Sequence, residues 1–240
     1  MTVIERAEVA YDASVVSRRA LVIFMHEADA AEFAEQLNAS AESAGLSGLV
    51  VEAFQSTGGY RPDPDRPQQF IDVAAAVQID YSVDRESAVI RLLQSVDVPK
   101  PLGDATISIG AVVTLLEPSG VNLLLLGAQR KSNLTMEQFG QYWAQNHAPH
   151  AVKELREAPV PIGYQIFVVD HDLSNEAAQG QLRASDIDGW MHITTRGLSD
   201  FAQVAHDPSH REWVLEDEVN FVNFSEPMVG QQMLSLHQSE

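Results

Sequence analysis

The sequence predicts an α+β chain in which two consecutive β-α-β-β-α-β units, residues 1–118 and 119–240, pack together as one barrel. Three observations carry this. Strand-like and helix-like stretches follow the same order in both halves. Aligning Glu32-Phe33 with Gln138-Phe139, and Asp72 with Asp188, gives steps of about 106 and 116 residues, the mark of an internal duplication. Strands such as VNLLLLGA and DVAAAVQI lack polar–apolar alternation, so both of their faces are expected to be buried. A lone four-stranded sheet would leave one face bare, which a soluble monomer does not tolerate.

Residues 1–17 read as a peripheral arm. Ala20–His26 (ALVIFMH) is a short branched apolar run that fits a buried strand. Ala28–Ala44 places Phe33 and Leu37 on one side, and Gly45 stops the helix. Gly48–Gln55 reads as a strand, Ser56–Pro67 as a loop, Phe70–Asp80 as a strand and Val83–Val96 as a helix ended by Pro99 and Pro101. Thr106–Leu116 completes the first unit. In the second, Val121–Lys131 is a strand, Thr135–Glu157 a helix, Ile162–Asp170 a strand and His171–Asp186 a polar surface loop. Asp188–Thr195 (strand), Leu198–Ala205 and Pro208–Phe221 (helices) and Met228–Leu236 (strand) finish the order.

Composition excludes several function classes. Lys plus Arg number 15 against 34 Asp plus Glu, a formal charge of −19, and that field repels nucleic acid and anionic membranes. The chain has no cysteine, so no thiolate ligand, cysteine nucleophile or disulfide exists. The N-terminus shows no export signal and no run of about 18 apolar residues occurs, so a cytoplasmic protein is expected.

Helix chemistry and reactive side chains coincide in Asn133–Val152, NLTMEQFGQYWAQNHAPHAV. Thr135 is placed to cap the helix and Gln138 to complete a capping box. Met136, Phe139, Tyr142 and Trp143 recur at three- and four-residue steps to give an apolar stripe. At the far end stand Asn146, His147 and His150, and histidine is the side chain that most readily moves protons near neutral pH. The pattern M-x-x-F-x-x-Y-W-x-x-x-H-A-P after a strand resembles the EthD family of dimeric α/β-barrel proteins. DGWMHITTRGLSDF followed by WVLEDEVNFV is similar to the second half of that domain, so the likeness spans roughly residues 120–236. It implies ferredoxin-like units. Because the family joins two chains into a barrel, this chain looks like a fused version that forms the barrel internally and leaves homodimerisation open.

His147 is the first catalytic candidate, as a helix-end general acid–base; the rival reading is a cap on the helix C-terminus. In HDPSH, the D-P-x-H turn is similar to the H-P-x-H turn of plant polyketide cyclases with this barrel. That likeness makes His210 the second catalytic candidate and His206 a solvent-facing turn residue. Those cyclases carry a Tyr about six residues before their His, where Val204 stands here, so Tyr142 or Tyr164 would have to serve. In strand WMHIT, alternation puts Trp190, His192 and Thr194 on one face and Met191 and Ile193 on the other, without saying which lines a cavity. Tyr142, Asn146, Tyr164, Trp190, His192 and Trp213 are the expected substrate-binding residues. Counting back from His147 lands near Ala41, in a helix with no His, Tyr or Trp. One pocket per chain is therefore expected, in the second half, with His26, Tyr60 and Arg61 as rim residues.

No metal site is expected. His147 and His150 are three apart but interrupted by Pro149, and no H-E-x-x-H or glycine phosphate loop is present. Related barrels bind haem through a His, and only His147 could serve as that ligand; no cofactor is expected. The reading that follows is a cofactor-independent lyase or isomerase, of cyclase or dehydratase type, acting by His chemistry on a hydrophobic or aromatic polyketide-like carbonyl compound. A cofactor-free monooxygenase and a non-catalytic small-molecule binding protein are the alternatives.

Overall fold

The computed structural model describes residues 17–26, 30–60, 69–96, 105–158, 160–197 and 208–236, the side chains of residues 208–211 excepted. The expected arm at residues 1–17 up to its last residue, the helix Leu198–Ala205, Arg61 with most of its loop and the Pro99–Pro101 stop lie outside these.

Strands β1 (Ser17–Phe24), β2 (Val50–Gly59), a two-residue β3 (Phe70–Ile71), β4 (Ala75–Tyr81) and β5 (Thr106–Leu116) come from the first half of the chain. Strands β6 (Asn122–Ala128), β7 (Ile162–Val169), a two-residue β8 (Arg183–Ala184), β9 (Gly189–Thr195) and β10 (Met228–Ser235) come from the second. Eight of them run in the order β1-β4-β2-β10-β6-β9-β7-β5, and β5 returns to β1, closing an antiparallel barrel. The seams between halves are β2–β10 and β5–β7.

Alternation along these strands sorts side chains into an inner and an outer set. Leu21, Phe54, Ala76, Val112, Leu125, Phe167, Trp190 and Val229, one from each of the eight strands, join a cluster that contains no helical residue; they fill the lumen. The outward residues form two further clusters. One lies under helices α1 (Ala30–Ser43) and α2 (Glu86–Ser95), where Phe33 meets Phe24 edge-on at 5.4 Å. The expected glycine stop is present: Gly45 has φ 69°, and Leu46 N–H returns to the Ala41 carbonyl at 2.8 Å. The other cluster lies under the long second-half helix and takes in Phe221 and Val222, which follow α6 (Pro208–Glu218).

Three expectations are corrected. His171–Asp186 is not a plain loop, since α5 (His171–Ala177) occupies its start. Asp170 accepts from the backbone N–H of Asp172 and Leu173, and buried Ser174 and Ala177 face the first-half core, so a short amphipathic turn outweighs the polar composition. Phe70–Asp80 is two strands rather than one: β3 runs parallel to β10, and the chain then crosses to pair as β4, with Val73 N–H bonded to the Gln231 side chain at 3.2 Å. Val83–Val96 begins with a 3-10 turn, Val83–Arg85, before α2.

The lumen is polar at one level. Arg19, 2% exposed, donates Nε to Asp80 Oδ1 at 2.7 Å and Nη2 to Asp80 Oδ2 at 2.9 Å. Nη2 also reaches Gln165 Oε1 at 3.0 Å, and Nη1 reaches His192 Nδ1 at 2.9 Å. A guanidinium has no acceptor, so His192 Nδ1 must carry the lone pair and the ring proton sits on Nε2. Burial, then the Arg19 charge, hold the His192 imidazole well below its usual pKa, so it stays neutral.

Candidate active site

The long helix opens as expected. Gln138 N–H donates to Thr135 Oγ1 at 3.1 Å and Thr135 N–H to Gln138 Oε1 at 2.9 Å, a complete capping box before α3 (Met136–Tyr142). Phe139 and Trp143 press on the sheet at Gly189, where a β-carbon would lie 2.8 Å from the Phe139 ring and 2.5 Å from the Trp143 ring. Each of these two buried rings contributes roughly 1.5–3 kcal/mol through area removed from water.

His147 does not end the helix. Residues Trp143–His147 form a π-helical stretch that continues into α4 (Ala148–Arg156), with Ala148 N–H bonded to the Trp143 carbonyl. Pro149 supplies the cause, because its ring clashes with the carbonyl four residues back and it donates no bond; a wider turn relieves both. The consequence is geometric. In an α-helix Tyr142 and His147 would stand about 140° apart; an i→i+5 turn brings residues five apart onto one side.

There they share Asp217 of α6. His147 Nδ1 lies 2.8 Å from Asp217 Oδ2, and the Tyr142 hydroxyl donates to Oδ1 at 2.8 Å. Trp213, one helical turn before Asp217, stacks on His150 at 3.7 Å and lies 5.1 Å from the His147 ring; Phe221, just past the end of α6, lies 5.2 Å from it. Burial alone would raise the Asp217 pKa. The hydrogen bonds from His147 and Tyr142 and the nearby charges of His147 and His150 outweigh it, and the carboxyl is held below its usual value. Burial and then the Asp217 bond raise the Tyr142 phenol, which stays a donor. An ionised Asp217 accepts the His147 Nδ1 proton and leaves Nε2 as the basic nitrogen. Such an arrangement fixes the tautomer and stabilises an imidazolium as it forms.

Of the other expected site residues, Tyr164 is fully buried below this cluster and accepts from Trp143 Nε1 at 3.3 Å; burial pushes its phenol far above the usual pKa. Tyr60, from the first half, packs against the same outer cluster, its phenol pushed up to about 12 by burial and by Glu218. Asn146 is exposed. Trp190 and His192 face the lumen, on the other side of the sheet from His147, while Met191 and Ile193 face the helices. His210 falls in the first turn of α6 with its side chain outside the described residues, and His206 lies outside them altogether. Asp217 was missed. It stands in the V-L-E-D-E block and four residues after Trp213, a spacing that puts both on one helix face.

Among the described residues no group of three potential metal ligands converges, and no helix is long and apolar enough to cross a membrane. Haem does not fit at His147. The residue is 4% exposed and its ring lies against Trp213 and Phe221, so a flat macrocycle could reach Nε2 only if α6 moved away.

Fold and cluster together define a helix-covered α+β barrel, closed within one chain, that carries a carboxylate-held histidine in one helical layer. The residues that build this layer, 131–225, match the EthD domain family. The whole fold is similar to a chlorite dismutase variant from Candidatus Nitrospira defluvii, at 11% identity over 90% of this chain and 91% of that one, with a TM-score of 0.51. A protein from Lactobacillus acidophilus provisionally assigned as a monooxygenase aligns at 10% identity over 92% and 94%, with a TM-score of 0.45. At such identities the likeness concerns fold alone. No curated protein sequence matches the chain.

Proposed function

We propose that the protein is a cofactor-independent enzyme of the lyase or isomerase kind, of cyclase or dehydratase type, in which His147 is the acid–base group. The observation that carries this is the single carboxylate of Asp217 held by both His147 and Tyr142. A small substrate must first part α6 from the His147 ring, which is buried against Trp213 and Phe221; Nε2 then takes a proton from the carbon beside the substrate carbonyl, the electron pair passes to the carbonyl oxygen as an enolate, and the proton is returned when the new bond forms or the leaving group departs. Asp217 stabilises the imidazolium in between. A hydrophobic or aromatic polyketide-like carbonyl compound suits the ring-rich surroundings. His210 as the second catalytic residue, with Tyr164 and Trp213 as neighbours of the substrate, remains part of this reading, and Trp190, His192 and Asn146 do not.

The same proposal holds that residues 1–118 and 119–240 are ferredoxin-like repeats from a duplication, the second bearing the site. The strand order supports this, since β5-β1-β4-β2 and β10-β6-β9-β7 are the same order. An acidic cytoplasmic protein, as a monomer or homodimer, completes it.

The test is proton exchange in D2O against a panel of enolisable aromatic and cyclic carbonyl compounds, read by mass spectrometry with and without oxygen. Wild-type protein should exchange at least one compound. His147→Ala should slow that exchange about 10²–10⁴-fold while folding normally. Exchange that survives His147→Ala refutes the assignment, strict oxygen dependence favours the monooxygenase, and binding without exchange favours the carrier.

A further inference from the structure

A second histidine–aspartate pair lies outside the site just described. His171 Nε2 is 2.7 Å from Asp188 Oδ1, and Asp188, 7% exposed, also accepts from the Arg130 backbone N–H at 2.8 Å. His171 faces a cavity of about 470 Å3 where β1 and β5 of the first half meet β7 and the start of α3. Ala111, Met136 and Val168 give it apolar walls. Met136 is eleven residues before His147, about 16 Å along the helix, so the two sites are at opposite ends of one element.

Arg18 has donors to spare. Arg18 Nε sits 3.1 Å from Glu86 Oε2, but that oxygen receives no well-aligned hydrogen bond, and no other partner of Arg18 is found among the described residues. With Nε2 committed to Asp188, Nδ1 is the nitrogen His171 has left to offer a ligand. The carboxylates nearby are engaged or outside: Glu86 faces only Nε of Arg18 and leaves its two Nη groups, Asp170 caps α5, Glu137 is exposed and accepts from Gln141 at 3.1 Å, and Asp172 is exposed.

We propose that this cavity binds a small monocarboxylate, its head group between Arg18 and His171 and its hydrocarbon body against Ala111, Met136 and Val168. A guanidinium fork matches a carboxylate in geometry and charge, and a pocket of this volume has ample room for a small organic acid. Arg18 belongs to the first half and His171 to the second, so both must be present in one closed barrel.

Ligand-observed NMR and calorimetry on the full chain test this with butyrate and benzoate, against butyramide and butylamine. The acids should bind about tenfold or more tighter than the amide, and the amine not at all. Arg18→Gln and His171→Gln should each weaken the acids about tenfold, and Ala111→Leu, which narrows the apolar end beside Arg18 and keeps both charges, should weaken them likewise. If Arg18→Gln fails to fold, Ala111→Leu and His171→Gln decide. His147→Ala should bind as wild type does. Equal binding of amide and acid, undiminished binding in the cavity variants, or loss in His147→Ala alone would each overturn the proposal.

Discussion

Replacing Arg19 by Met should destabilise the protein strongly and change how its stability depends on pH. Arg19 joins the halves inside the barrel, with four hydrogen bonds to Asp80, Gln165 and His192. Removing one partner of a buried ion pair costs about 3–5 kcal/mol, since the other charge is left uncompensated. Asp80 is 28% exposed on its side chain, so water recovers part of that, and about 2–4 kcal/mol is expected at pH 7. Arg19→Met with Asp80→Leu should regain most of the loss, since no charge is then stranded. The pH effect has a definite sign. Folded His192 resists protonation because of burial and Arg19, whereas the unfolded chain binds that proton below about pH 6.5. Stability is therefore fully present above about pH 6.5 and falls as pH drops, by up to about 1.4 kcal/mol per pH unit. Without Arg19 burial still holds the His192 imidazole down, but less far, so the fall should level off at a higher pH. His171 acts oppositely: the Asp188 hydrogen bond raises its pKa, so its contribution is complete below about pH 6.5 and lost as pH rises through the folded value. Urea melts between pH 5 and 8 measure both. A Met variant as stable as wild type at pH 7 would refute the reasoning.

Gly189→Ala should cost about 1–3 kcal/mol, because the added methyl meets the Phe139 and Trp143 rings and must push the helix off the sheet; a lower melting temperature with an altered near-ultraviolet tryptophan signal checks this. Tyr142→Phe removes one of Asp217's two side-chain donors and, since water can reach the part-buried pair, should cost about 0.5–1.5 kcal/mol of stability with the exchange reaction slowed less than by His147→Ala, as paired melts and exchange rates would show.

The fold was legible because its signals are local and repeated: the glycine at Gly45, the Thr135–Gln138 box and unalternating strands each dictate an element by themselves. The short helix α5 was hidden because its cap, Asp170, sits in a polar stretch with only Leu173, Ser174 and Ala177 turned inward. In the site, His147 was visible as a reactive residue in a helix, but its burial was not. That depends on a π turn whose trigger, Pro149, could be read while its direction could not. Asp217 is 70 residues from His147, and such pairing is set by how α6 lies on the sheet. His192 stood one position from either face, and only the closed barrel decides that it points inward.

Closure within a single chain means that each lumen residue occurs once. A barrel made by two identical chains would send a second Arg19 into the same lumen, and two guanidiniums there would demand two carboxylates or force one another out. Here a cation from one half can end on a neutral imidazole from the other, with one aspartate to balance it. Opposite sides of the lumen are thus free to differ in charge, and an arrangement that symmetry would make self-repelling becomes a bond between halves.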